Sequence, residues 1–130
     1  MGVWGHGNFD SDDTLNVLSG WINQVIQRIR EVYSYEKKDL YTGRGEADIV
    51  ANVDILGTLY DKYRIYPDLE LAEVADWKRE YLDTFDFVSA NYNQSEAIEG
   101  AKLRRPIIEA TFDRLYGILT EIIQEDKFEE

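Results

Sequence analysis

Apolar positions recur along the first part of the chain at alternating steps of three and four: Leu15, Leu18, Ile22, Val25, Ile29 and Val32. A helix turns once in about 3.6 residues, so this spacing predicts one amphipathic helix from about Ser11 to Tyr33, with Trp21, Ile26 and Tyr33 widening its buried stripe. Asp12 and Asp13 fall in the first turn, where carboxylates complement the positive end of the helix dipole, and Arg28 and Arg30 fall near the negative end. The polar stretch Tyr35 to Gly45, with Lys37, Lys38 and Gly43-Arg44-Gly45, reads as a connecting loop.

A second helix is predicted from about Glu46 to Tyr63, with Ile49, Val53, Leu56, Tyr60 and Tyr63 on one side and Ala47, Val50 and Ala51 beside them. Gly57 and Ala51 leave room for another helix to come close. Pro67 cannot continue that helix but suits the first turn of a third, from about Asp68 to Asn91, whose stripe is Leu71, Val74, Ala75, Tyr81, Leu82, Phe85 and Val88. The outer face of this third helix carries Asp68, Glu70, Glu73, Asp76, Glu80, Asp83 and Asp86 against only Lys78 and Arg79. Trp77 lies off its main stripe, either on a second packing face or as an exposed anchor. Ser95 caps a fourth segment, in which Pro106 implies a kink or a fresh start at Arg105 and Ile108, Phe112, Leu115, Leu119 and Ile122 form the stripe. The tail after Gln124 is expected to fray. Strand-type alternation is missing over any useful length, so the expected fold is all-α: a single domain over 1–130, a compact bundle of about four helices with an extended, Gly/Trp-rich N-terminal arm to which Val3 and Trp4 belong.

Charge changes the picture more than composition does. The formal net charge is -12, from 26 acidic against 14 basic residues. A surface so negative repels phosphate backbones, which argues against nucleic acid as a partner, and the same field steers a basic protein toward it. No run approaches the roughly 18 apolar residues of a membrane span, and the first residues lack the basic and apolar regions of a signal peptide, so a cytoplasmic protein is expected. His6 stands where a myristoylation motif needs Ser or Thr. The chain has no cysteine, which removes disulfides and thiolate chemistry from consideration.

Two sets of residues carry candidate chemistry. His6, Asp10, Asp12 and Asp13 are oxygen- and imidazole-bearing groups of the kind that hold magnesium, calcium or zinc, but their spacing also suits plain helix capping and lacks the glycine and terminal glutamate of a calcium loop. Asp54 sits among Ala47, Val50, Ala51, Ile55 and Gly57; facing inward it needs an arginine, with Arg104, Arg105 and Arg114 as candidates, or its pKa rises. Phosphate-cradling loops and nucleophile elbows are absent from the sequence. The nine tyrosines are divided between core or rim positions and a surface where a phenol can meet a partner.

The opening residues, Gly2-Val3-Trp4-Gly5-His6-Gly7-Asn8-Phe9 followed by Asp10-Ser11-Asp12-Asp13-Thr14-Leu15, resemble the bacterial domain-of-unknown-function family 4259, whose members begin Gly-x-Trp-Gly-x-Gly-x-Phe and continue Asp-Asn-Asp-Asp-Ala-Leu. Gly45-Glu46-Ala47 through Ala51-Asn52-Val53-Asp54 is similar to that family's Gly-Glu and Ala-rich helix, with Asp54 in the place of a glutamate. The likeness covers roughly the first half of the chain; the later helices share the pattern and lack the family's tryptophan-rich ending. It implies a fold and brings no catalytic residues with it.

The expected function is a small acidic protein-binding module, an immunity-type inhibitor of a basic toxin, with Glu73, Asp76, Glu80 and Asp83 as the contact face and Trp77 as its aromatic anchor. No catalytic residue or cofactor is assigned. The alternative is a metal-dependent hydrolase using His6, Asp10, Asp12, Asp13 and Asp54.

Overall fold

Ser11 starts the first helix as its spacing predicts. Its backbone is extended (φ -149°, ψ 157°), and its hydroxyl oxygen accepts from the Thr14 amide, satisfying one of the donors a helix start leaves open. Helix α1 then runs Asp12–Tyr33. The computed structural model describes residues 5–34 and 45–129; Gly2, Val3 and Trp4 of the arm and nearly all of the expected Tyr35–Gly45 loop lie outside the described residues. Helix α2 (Asn52–Tyr63) is entered without a break through a π-helical turn, Glu46–Ala51, and the Asn52 side-chain amide donates to the Asp48 carbonyl across the junction (2.7 Å). Helix α3 (Leu71–Ser89) and the 35-residue helix α4 (Ser95–Glu129) follow.

The result is an all-α, compact bundle of four helices, with no strand among the described residues. Helix α4 packs on both α2 and α3, and α1 packs on α2. The core joins Leu18, Ile22, Ile26 and Ile29 of α1 to Val53, Leu56 and Tyr60 of α2, Val74, Tyr81 and Phe85 of α3, and Ile108, Phe112, Leu115, Leu119 and Ile122 of α4. Gly57 is buried where α4 crosses: a Cβ there would lie 3.0 Å from Arg114 Nη1. Ala51, expected to share that role, is exposed.

Several boundaries and faces differ from expectation. Helix α3 begins at Leu71 and not at Asp68, because residues 64–70 form an irregular crossing in which Pro67 and Leu69 are buried as plugs. It also ends at Ser89, short of Asn91. Arg64 closes α2 in the left-handed region (φ 51°), a conformation that costs a residue with a Cβ; its guanidinium donates to the Asp61 carboxylate and to Glu121 Oε2, both at 2.9 Å. No fresh start occurs at Arg105. Helix α4 passes through Pro106, where the carbonyl deprived of its donor belongs to Lys102, an exposed residue. The helix holds beyond Gln124 to Glu129, with Ile122 buried and both Glu121 and Glu125 reaching Arg64. Ala75 and Trp21 do not join their stripes and face outward.

Candidate partner-binding surface

The four carboxylates expected to form a contact face occupy one side of α3, since steps of three, four and three residues keep Glu73, Asp76, Glu80 and Asp83 within one narrow helical stripe. Their surroundings differ. Glu73 is half-buried and accepts from Arg30 Nε and Nη2 at 2.7 Å each, a two-pronged tie from α1 to α3 that raises the Arg30 pKa, chiefly through the hydrogen bond itself. Asp76, Glu80 and Asp83 are exposed, and Asp76 pairs with Arg79 one turn away (3.0 Å).

Trp77 is not the anchor of this face. It is 4% exposed, its ring stacks on Tyr33 (centroids 6.2 Å apart, planes 5° from parallel), and its carbonyl accepts from the Tyr33 hydroxyl at 2.7 Å. The second-packing-face alternative is the one realised, because α1 supplies the aromatic partner that covers it. Burial, and next the charge of Glu80, push the Tyr33 phenol up, so the neutral hydroxyl stays a donor to α3. The aromatic that does stand on the acidic stripe is Phe87, at 74% exposure, one turn past Asp83 and two past Glu80. Sequence reasoning missed it, although a signal was present: Phe87 lies two residues from the stripe member Phe85 and therefore about 200° around the helix from it.

At its far end the stripe adjoins a tie between α3 and α4. Arg105 donates to Asp86 Oδ1 (2.7 Å) and Oδ2 (2.9 Å) and to Glu109 (3.0 Å). The Arg105 hydrogen bonds hold the Asp86 carboxyl below the usual range, so it stays ionised within the bundle's working pH.

The arm uses its polar groups to shape itself. Asp10 Oδ2 accepts from the Gly7 amide (2.7 Å) while the Asp10 amide donates to the Gly7 carbonyl (3.2 Å). A Cβ on Gly5 or Gly7 would come within 2.5 or 2.7 Å of that same carboxylate oxygen, so a side chain at either position would push the Asp10 carboxylate out of this turn. Phe9 packs edge-on against Tyr63 at the end of α2 (centroids 4.8 Å). Asp12 and Asp13 are exposed in the first turn of α1, and His6 is exposed. Among the described residues no three His, Asp or Glu side chains converge.

Asp54 points outward. Arg114 is its partner (Nη1 to Oδ1, 3.4 Å), and the same nitrogen donates to Thr58 Oγ1 (3.3 Å). Helices α1 and α2 run antiparallel, Arg28 meeting Asp48 at 3.4 Å and Phe9 meeting Tyr63, so Asp12 and Asp13 stand at the far end of α2, roughly 10 Å or more along its axis from Asp54. The structure therefore does not gather His6, Asp10, Asp12, Asp13 and Asp54 around one point. No described helix is long and apolar enough to cross a membrane.

Compared with family models, curated proteins and solved structures, the chain matches none.

Proposed function

We propose that this chain is a small acidic protein-binding module of the immunity type, which neutralises a basic toxin in the cytoplasm through the outer face of α3 and has no affinity for nucleic acid. The observation that carries this reading is the line of exposed Asp76, Glu80 and Asp83 ending on a Phe87 that is 74% exposed. Carboxylates on a rim set encounter rate and exclude wrong partners, whereas a desolvated aromatic supplies the binding energy. The net charge of -12 extends the same field well beyond the stripe. Membership of the domain-of-unknown-function family 4259 belongs to the same proposal; it is supported by the definite structural work done by its motif residues Gly5, Gly7, Phe9 and Asp10 in this arm.

The test is capture from the source cell on immobilised wild type beside two variants, the triple change Asp76→Asn, Glu80→Gln, Asp83→Asn and the single change Phe87→Ser. A basic protein held by the wild type, released by both variants and associating more slowly as salt rises from low to about 0.15 M supports the reading. A partner that both variants retain, or whose association ignores salt, sinks it.

A further inference from the structure

Trp21 was expected in the core stripe of α1, yet 62% of it is exposed, together with 58% of Val17 one turn earlier. The Arg28–Asp48 contact sets the register of the antiparallel α1–α2 pair. Seven residues back from Arg28, two α-helical turns, keep Trp21 on the side of α1 that meets α2. On α2, Asp54 and Thr58 turn toward Arg114 of α4, which leaves Ile55, itself 46% exposed, on the side toward α1. The Phe9–Tyr63 and Arg28–Asp48 contacts at the two ends of the antiparallel pair bring Trp21 and Ile55 to similar levels. Val17, Trp21 and Ile55 thus form one apolar ridge across two helices, continued by half-buried Leu59 and bordered by exposed Asp13, one turn before Val17. This ridge is separate from the α3 stripe: Trp21 and Arg30, which ties α1 to Glu73, are nine residues apart and so on opposite sides of α1.

We propose that this ridge is a docking site for an amphipathic helical segment with one apolar face flanked by Lys or Arg. Its area, on the order of 300 Å², falls well short of the roughly 800 Å² per partner that a stable dimer buries. Two copies of the chain, each at -12, also repel one another. A single helix laid across the seam needs only two or three anchors at helical spacing, which suits a ridge of this size, and its flanking cations are drawn by the field that repels a second copy.

The probe is a synthetic Leu/Lys peptide of roughly 14 residues with leucines at helical period, compared with a scrambled peptide of equal composition, by calorimetry at about 0.15 M salt. The helical peptide is expected to bind one to one, with the scrambled peptide weaker by about tenfold or more. The exposed double change Trp21→Ser, Ile55→Ser is expected to lose about tenfold, with its circular dichroism and melting temperature unchanged. Phe87→Ser binds the probe as the wild type does, which separates this site from the α3 reading. Equal binding of the scrambled peptide, retention of affinity by the double variant, absence of binding, or a wild-type dimer in sedimentation that Trp21→Ser dissolves each overturns the proposal.

Discussion

Phe85 and Phe87 offer a direct measurement of how α3 is oriented. They are two residues apart in the same helix, yet 3% of one and 74% of the other is exposed. Phe85→Ala deletes a side chain packed in the core and leaves a cavity, a change that costs about 3–5 kcal/mol. Phe87→Ala gives up contacts on only a small part of the ring, and alanine's better helix propensity offsets some of that loss, so its cost is expected within about 0.5 kcal/mol. For a domain of this size one kcal/mol moves the melting temperature by about 4 °C. Phe85→Ala is therefore expected to melt roughly 12–20 °C lower, and Phe87→Ala within about 2 °C of wild type. Thermal melts and urea titrations with unchanged slope provide the assay. Against the captured partner, Phe87→Ala is expected to weaken binding by about tenfold or more at unchanged stability. If Phe87→Ala destabilises as Phe85→Ala does, the helix is rotated from the orientation described; if both stability and binding are untouched, the stripe is a solvated face and no contact surface.

The remaining predictions concern glycines and pH. Gly20 and Gly100 have open space where a Cβ would stand, so Gly20→Ala and Gly100→Ala are each expected to stabilise by about 0.5–1 kcal/mol in urea unfolding. Gly7→Ala and Asp10→Ala each disrupt the same turn and are each expected to cost about 1 kcal/mol, but the double variant is expected to cost less than their sum, because the methyl group no longer meets a carboxylate. Burial, aided by Asp68, pushes the Tyr60 phenol up to about 12. Stability from this group is intact below the ordinary tyrosine value near 10 and is lost as pH rises from there toward about 12, by up to about 2 kcal/mol. Tyr60→Phe removes that loss, so an alkaline limb unchanged by the substitution refutes the assignment.

What the sequence made legible was what local periodicity determines. The Ser11 cap, the length of α1 and the stripes of α2 and α4 follow from spacing that nothing distant overrides. The misreadings come from tertiary context. Pro67 suits a first helical turn by local rules, but the chain spends residues 64–70 crossing the end of the bundle, and burying Pro67 and Leu69 there outweighs an early helix start. Trp21 and Trp77 exchange their expected environments because the width of a buried stripe depends on what lies across from it: Tyr33 covers Trp77, while the outer side of α1 at Trp21 is left open. Nothing in the sequence marked the π-helical entry to α2, whose pattern is indistinguishable from an α-helical one over a single turn. For the candidate site the acidic stripe and the outward position of Phe87 both follow from helical spacing, whereas the burial of Trp77 depends on Tyr33 of α1, which spacing within α3 does not show.

The placement of positive charge explains why so acidic a chain holds together and why its surface is more one-sided than its composition. Arg28 ties α1 to α2 through Asp48, Arg30 ties α1 to α3 through Glu73, Lys78 and Arg105 tie α3 to α4 through Asp113 and Asp86, and Arg64 and Arg114 tie α2 to α4 through Glu121 and Asp54. Each pair is at least partly exposed and contributes little alone, about 0–1 kcal/mol. Their larger effect is on what remains: these cations are held in the seams, while Asp12, Asp13, Glu80, Asp83, Glu96 and Glu99 form no ion pair among the described residues and face solvent. Salt should therefore act on the two states in opposite directions. Screening relieves self-repulsion in the free bundle and raises its stability, and the same screening slows its encounter with a basic partner.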